Sequence, residues 1–446
     1  MRYQAALRPG HDRDAIGNTR DPEGQPLLRT GEFDREVEPA APPGYTPQMP
    51  DRDPRPPSRP AGLPAGTVSW LEIDLGALAA NVRAFAGRLG DARIAAVVKS
   101  DAYGHGVALV APAALRAGAS WLAVWGANEG IPLRAQVGPD VPILCLGHTP
   151  PQDFEDAVAA DLRLTLYDPS AIPALARAAR ARGCTARVHV KLETGTHRQG
   201  LHPGEAAALA RAVATCPEVV LEGVSTHFAD IEDTTDHGFA QAQQDRFTEG
   251  VEAIAAAGAR PTVRHTACSA AAILFPRTHF DLARVGIGLY GLWPSRETLV
   301  SARERGLSGF ALSPVMTWKA LVAQVKDVPA GGFVGYGRTW RAQRRTRIAV
   351  VPVGYFEGYA RALSSRAHVL VRGQRAPVLG RVCMNMFMVD VTDVPGAAAG
   401  DAAVLLGRDG DEAVTAEALA GWAGTIHYEI TTRVNPLLPR IAVGGP

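Results

Sequence analysis

The sequence predicts an α/β chain: a TIM (β/α)8 barrel followed by a mainly β C-terminal domain. Three observations carry this prediction. Eight short apolar runs alternate with Ala-rich helical stretches between residues 94 and 285. The alternation stops near Ser313. Beyond it, β-patterned segments are parted by Gly and Pro turns.

Residues 1–66 are rich in Pro, Arg, Asp and Gly, with turn-prone clusters such as Ala41-Pro42-Pro43-Gly44. This composition predicts a disordered N-terminal extension, since it offers little apolar surface to bury. The barrel domain is assigned to 67–312 and the β domain to 313–446. Order is expected to begin with an alternating strand over 68–73, with Asp74 capping an amphipathic helix that carries Leu75, Leu78, Val82, Phe85 and Leu89. The eight barrel runs are 94–98, 121–125, 141–146, 162–167, 187–192, 219–226, 262–266 and 280–285. A doubly wound open sheet also alternates, but eight strands over about two hundred residues favours the barrel. In the second domain, strands are expected over 317–325, 346–353, 368–371 and 402–406, then a short helix near 416–423 and a strand-like tail.

Of the 446 residues 46% are hydrophobic, enough for a sizeable core, and the formal net charge is +1. That balance speaks against nucleic acid or an anionic membrane surface as partner. The five cysteines form no C-x-x-C pair, which points to a reducing, cytoplasmic setting rather than a disulfide framework. No stretch is long and apolar enough to span a bilayer.

Catalytic residues of a TIM barrel gather at the C-terminal ends of its strands. Lys99 ends the first run, Lys191 and Glu193 the fifth. His227 follows the sixth, His265 lies in the seventh, Ser269 follows it, and Arg284 ends the eighth before Gly286 and Gly288. Lys99 reads equally as a desolvated, reactive amine able to form a Schiff base and as a snorkelling surface lysine. Ser269 and the glycines fit a phosphate loop, or a plain helix cap and turn. Singly, His227 and His265 read as hydrogen-bonded core histidines. A metal site of His227 with His237 or Asp230 lacks a dense ligand cluster, and no metal is expected.

The run Val97-Val-Lys-Ser-Asp-Ala-Tyr-Gly-His-Gly106 resembles the cofactor-lysine signature of the alanine racemase family, and the resemblance extends from about Trp70 to Arg440. It implies a TIM barrel with a β domain, pyridoxal 5'-phosphate as cofactor, and interconversion of L-alanine and D-alanine for peptidoglycan. By resemblance, Lys99 carries the cofactor and is one base, and Tyr336 is the second. Tyr103, Ser269, Gly286, Ile287 and Tyr428 would hold the phosphate, Arg284 the pyridine nitrogen, His227 the ring, and His265 would hydrogen-bond Arg284. Arg198, Tyr355 and Met384 match residues around the substrate, and Lys191 matches a lysine often carbamylated. A homodimer with shared active sites is implied.

The chain departs from the family pattern at Cys268, where Asn is usual, and at Asn385, where Asp is usual and a carboxylate near the substrate is lost. It departs again at Asp230-Ile-Glu232, expected to alter the lining of the access channel, and at Thr196-His197. These bear on substrate, so a racemase of serine or another small amino acid is the alternative. A pyridoxal-phosphate decarboxylase of basic amino acids is disfavoured by Arg284, and a non-catalytic cofactor-binding protein by Tyr336.

Overall fold

The computed structural model describes residues 59–445. The extension predicted over 1–66 lies outside them up to residue 58. Strand β1 (Ser69–Asp74) comes first. The barrel strands are β2 (Arg93–Val97), β3 (Trp121–Val124), β4 (Ile143–Cys145), β5 (Leu162–Leu166), β6 (Ala186–Lys191), β7 (Val219–Ser225), β8 (Val263–His265) and β9 (Leu282–Val285). One strand stands at each predicted run. They form an eight-stranded parallel sheet in the order β8-β7-β6-β5-β4-β3-β2-β9. Its two ends meet through Asp281 N–H to Arg264 C=O (3.1 Å) and Arg284 N–H to Ala267 C=O (2.9 Å), so the barrel is nearly closed.

A strand in such a barrel is buried on both faces, which is why β2 reads as a continuous apolar run. Ile94 and Ala96 face the surrounding helices. Ala95 and Val97 join Trp121, Ala123, Leu144, Val263 and Leu282 inside. The Asp74 carboxylate accepts from Ala77 N–H (2.8 Å) and starts the helix Leu75–Leu89. Leu78, Val82, Phe85 and Leu89 on that helix are buried. Phe85 packs edge-on against Phe310 and lies directly beneath Gly288, where a Cβ would come within 2.5 Å of its ring.

The second domain contains β10 (Met316–Leu321), β11 (Gln324–Val328), β12 (Phe333–Val334), β13 (Trp340–Arg341), β14 (Thr346–Val351), β15 (His368–Val371), β16 (Gln374–Leu379), β17 (Phe387–Asp390), β18 (Ala402–Asp409), β19 (Glu412–Val414) and β20 (Arg440–Val443). Its main sheet runs β11-β14-β17-β16-β15-β18-β10-β1-β20. The single run expected over 317–325 is two strands, because at the break Val322 N–H turns to Asp401 C=O and Ala323 N–H to Val350 C=O. β1, although it opens the segment assigned to the barrel, lies between β10 and β20 in this sheet. Side chains hold it there: the Trp318 indole donates to Ser69 Oγ (2.8 Å), and Lys319 pairs with Glu72 (2.8 Å).

Phe85→Ala should lower the unfolding free energy by about 3–5 kcal/mol, the usual cost of emptying a core phenyl site. Chemical denaturation of the purified protein reads it, and an unchanged midpoint would contradict the packing described.

Candidate active site

Lys99 does not end β2; it opens a single turn two residues beyond it. Ser100, Asp101, Ala102 and Tyr103 have φ of 56°, 51°, 54° and 55°, so the turn is left-handed. For non-glycine residues this is sterically costly. Hydrogen bonds over-determine it: Glu129 accepts from Ser100 N–H (2.8 Å), Asp101 from Val107 N–H (2.8 Å), and Val98 C=O from Ala102 N–H (2.9 Å). Gly104 stands where a Cβ would collide with the Thr431 carbonyl oxygen at 2.1 Å, so only glycine lets the C-terminal segment approach.

The turn brings Lys99 and Tyr103 into one cavity of about 290 Å³ with His227, Ser269, Arg284, Gly286, Ile287 and Tyr428. Val97, Ser100, Leu146, Glu232, Cys268 and Thr432 complete its wall. Ser269 is not the helix cap, which is Cys268; it is the first residue of the helix Ser269–Leu274. Its Oγ accepts from Gly286 N–H (3.0 Å) and Gly288 N–H (3.3 Å), leaving its own hydroxyl proton to donate elsewhere. A Cβ at Gly286 would sit 2.6 Å from Tyr103 Oη. Burial raises the Tyr103 and Tyr428 phenols, so both remain O–H donors.

Arg284 lies across the cavity floor. It donates to the carbonyls of His265 (2.8 Å), Thr226 (2.7 Å) and Thr266 (3.1 Å), and to His265 Nδ1 at 2.6 Å. His227 Nδ1 is 3.4 Å from the same guanidinium. Burial, then Arg284 and the neighbouring cations, hold both His227 and His265 well below the usual imidazole range, so both rings are neutral.

Positive charge gathers at this mouth. Burial, then Arg198, lowers the Lys99 amine against the pull of Glu129. Burial, then Arg284 and Arg198, lowers Lys191 to about 7. Glu193 suffers from burial, yet the backbone amides of Gly195, His197, Thr196 and Arg198 keep its carboxylate ionised; this fixes the loop that carries Arg198. With two phenols, a hydroxyl and a glycine turn with no room for Cβ, the donor set fits a small phosphorylated ring compound bearing an aldehyde.

Tyr336, Tyr355 and Met384 are elsewhere. They line a separate cavity of about 830 Å³ on the β domain, with Arg361, Arg381 and Asn385. Tyr336 sits in the loop between β12 and β13 and is 72% exposed. Asn385 does not leave its surroundings without a carboxylate: its amide donates to Glu357 (2.7 Å), which also accepts from Gly354 N–H (2.7 Å). Glu232 is not merely channel lining, since Tyr428 Oη donates to it at 3.2 Å inside the cavity. Cys268 lies beside them, its thiol pushed up to about 11 by burial and Glu232. Sequence reasoning missed Glu129, His189 and Glu222. His189 did leave a signal: it stands two residues before Lys191, hence on the same face of β6.

Family models for the alanine racemase N-terminal and C-terminal domains match residues 73–294 and 315–442. An alanine racemase of Symbiobacterium thermophilum is 42% identical over 376 residues, covering 84% of this chain and 97% of that protein. The crystal structure of an alanine racemase from D-cycloserine-producing Streptomyces lavendulae matches with TM-score 0.79 and 39% identity, over 86% of this chain and 99% of that one. A histidine racemase from Leuconostoc mesenteroides matches with TM-score 0.77 and 26% identity, over 85% and 99%.

The chain has four lysines, Lys99, Lys191, Lys319 and Lys326, so amine titration is tractable. A lowered pKa means the neutral, acylable amine fills in at lower pH. In the cofactor-free protein, Lys191 acylation should be half-maximal near pH 7, and Lys99 should level off below the ordinary lysine range. Peptide mass spectrometry across pH measures both; titration of both near the ordinary value of about 10.4 would contradict the burial and charge described.

Proposed function

The chain belongs to the alanine racemase family, and from that premise we propose that it holds pyridoxal 5'-phosphate at the barrel mouth and interconverts L-alanine and D-alanine. Lys99 is one base and Tyr336 of a second copy is the other. The observation that carries this reading is the cavity that joins a low-pKa lysine to phosphate donors and a buried arginine, while Tyr336 stands exposed on the other domain.

Lys99 would hold the cofactor aldehyde. Tyr103, Ser269, Tyr428 and the backbone of Gly286 and Ile287 would hold the phosphate, Arg284 the ring nitrogen, and His227 the ring face. When bound, pyridoxal phosphate supplies an electron sink for the pair left on an amino acid's α carbon once its proton is gone. The residues of the chain then handle the proton. Racemisation requires it to leave from one face and return to the other, so one acid/base group is needed on each side. Lys99 Nζ serves one face, kept competent as a neutral amine by burial and by Arg198. Tyr336 Oη serves the other from the partner chain, with Tyr355 and Met384 beside it. Arg198 orients the substrate carboxylate.

Arg284 only donates, and so leaves the ring nitrogen without a proton of its own. Lys191, with a pKa of about 7, is a ready carbamate former: its neutral amine adds carbon dioxide and releases a proton. That places an anion beside Arg198 and Arg284. A homodimer follows from the division of the two bases between cavities. The product, D-alanine, would serve peptidoglycan synthesis in the cytoplasm, a setting in keeping with five free thiols.

The purified chain with pyridoxal phosphate should convert L-alanine to D-alanine. Lys99→Ala should cut kcat/KM roughly a thousandfold or more. Chiral product analysis should include serine and histidine: a higher kcat/KM on either would reassign the substrate, and racemisation of no amino acid would refute the reading.

A further inference from the structure

Arg284 is a cation at only 7% exposure, and among the described residues no Asp or Glu is within ion-pair distance of it. Burying an uncompensated charge costs several kcal/mol, on the order of the figures for broken buried pairs. Three carbonyl dipoles answer part of that cost. The fourth partner, His265 Nδ1, begins a line of contacts through the barrel interior.

The proton positions along this line follow from chemistry. Arginine has donors and no acceptor, so His265 Nδ1 must be the bare nitrogen and its proton sits on Nε2. That Nε2 is 2.7 Å from His189 Nδ1, which therefore accepts. The proton of His189 is left on Nε2, 3.1 Å from Glu222 Oε2. Every proton in the line Arg284–His265–His189–Glu222 thus points away from the guanidinium, and the line ends on a carboxylate. The barrel is built around it. Gly223 leaves no room for a Cβ, which would come within 2.4 Å of His189 Nδ1. Trp121 meets the His189 ring edge-on at 5.7 Å, and Arg163, 5.7 Å over Trp121, forms an ion pair with Glu222 at 3.4 Å while pairing more closely with Asp161 at 2.7 Å, so Glu222 is shared between Arg163 and the histidine line.

We propose that Glu222 is the counter-charge of Arg284, conveyed through His189 and His265 as Nε2–H tautomers, and that His189 and Glu222 are positioning residues for the guanidinium. The effect on catalysis rests on the assignment of Arg284 to the cofactor ring nitrogen; the proton order does not. The arrangement keeps the guanidinium fixed and charged at the cavity floor without placing a carboxylate beside the cofactor.

Neutron diffraction from crystals of the deuterium-exchanged, full-length protein with pyridoxal phosphate tests the proton order. The expected map has deuterium on Nε2 of His265 and His189, none on either Nδ1, and none on Glu222. Deuterium on Nδ1 of either ring, or on the Glu222 carboxyl, overturns the proposal. Glu222→Gln keeps one acceptor oxygen for His189 and replaces the carboxylate by a neutral amide of the same size. It should lower kcat for alanine roughly tenfold while KM stays within about threefold, the pattern of a lost outer contact acting through another residue. An unchanged kcat overturns the positioning role, and if this variant does not fold the neutron map decides. If the wild-type protein racemises nothing but the map has the expected deuterium, the assigned activity fails and the relay stands.

Discussion

The left-handed turn from Ser100 to Tyr103 is the constraint on which the site depends. Each of its four residues pays roughly 1–2 kcal/mol for a positive φ. An ordinary right-handed helix would also put Lys99 and Tyr103 on one face, so what the turn sets is the path of the chain from β2 to Gly104. With it, the lysine and the phenol face one cavity, and the loop after β9 closes against Tyr103 because Gly286 has no Cβ to intrude. The strain is held by groups from other elements: Glu129 from the helix after β3, the Thr431 backbone packed on Gly104, and Arg440, whose guanidinium donates to Gly104 C=O at 3.1 Å. The β domain therefore takes part in shaping the barrel mouth.

Electrostatics at that mouth follow from burial more than from pairing. Lys99, Lys191, Arg198 and Arg284 converge while the nearby carboxylates of Glu129 and Glu193 are committed to backbone amides. Lys99 and Lys191 are desolvated and repelled by the neighbouring arginines, so the two amines lose protons easily. An anionic phosphate, a carbamate on Lys191 and a substrate carboxylate are each ways of relieving that excess. On this reading the site is most comfortable when loaded.

Much of this was legible in the sequence because it is local. Eight apolar-rich runs mark eight strands, since parallel barrel strands are buried on both faces. His265 and Arg284 stand at strand ends and Lys99, His227 and Ser269 just beyond them, where barrel geometry collects them. What was not legible depends on distant pairing. The place of β1 in the second sheet is set by Met316–Leu321 and Arg440–Val443, far along the chain. β16 was masked by Pro377, a residue that usually argues against a strand interior. Glu222 sits at the middle of β7, so a search of strand ends passes over it; only the inward line of His189 and His265 connects it to Arg284.

In the proposed dimer each site draws one base from each of two chains. In a two-fold dimer, Lys99→Ala and Tyr336→Phe subunits fail in complementary ways. Co-expressing the two variants and assaying the purified mixture is the most direct measurement. Random pairing gives half mixed dimers, each with one intact site, so activity should return to about a quarter of wild type. A mixture no more active than its two separate variants would contradict the account.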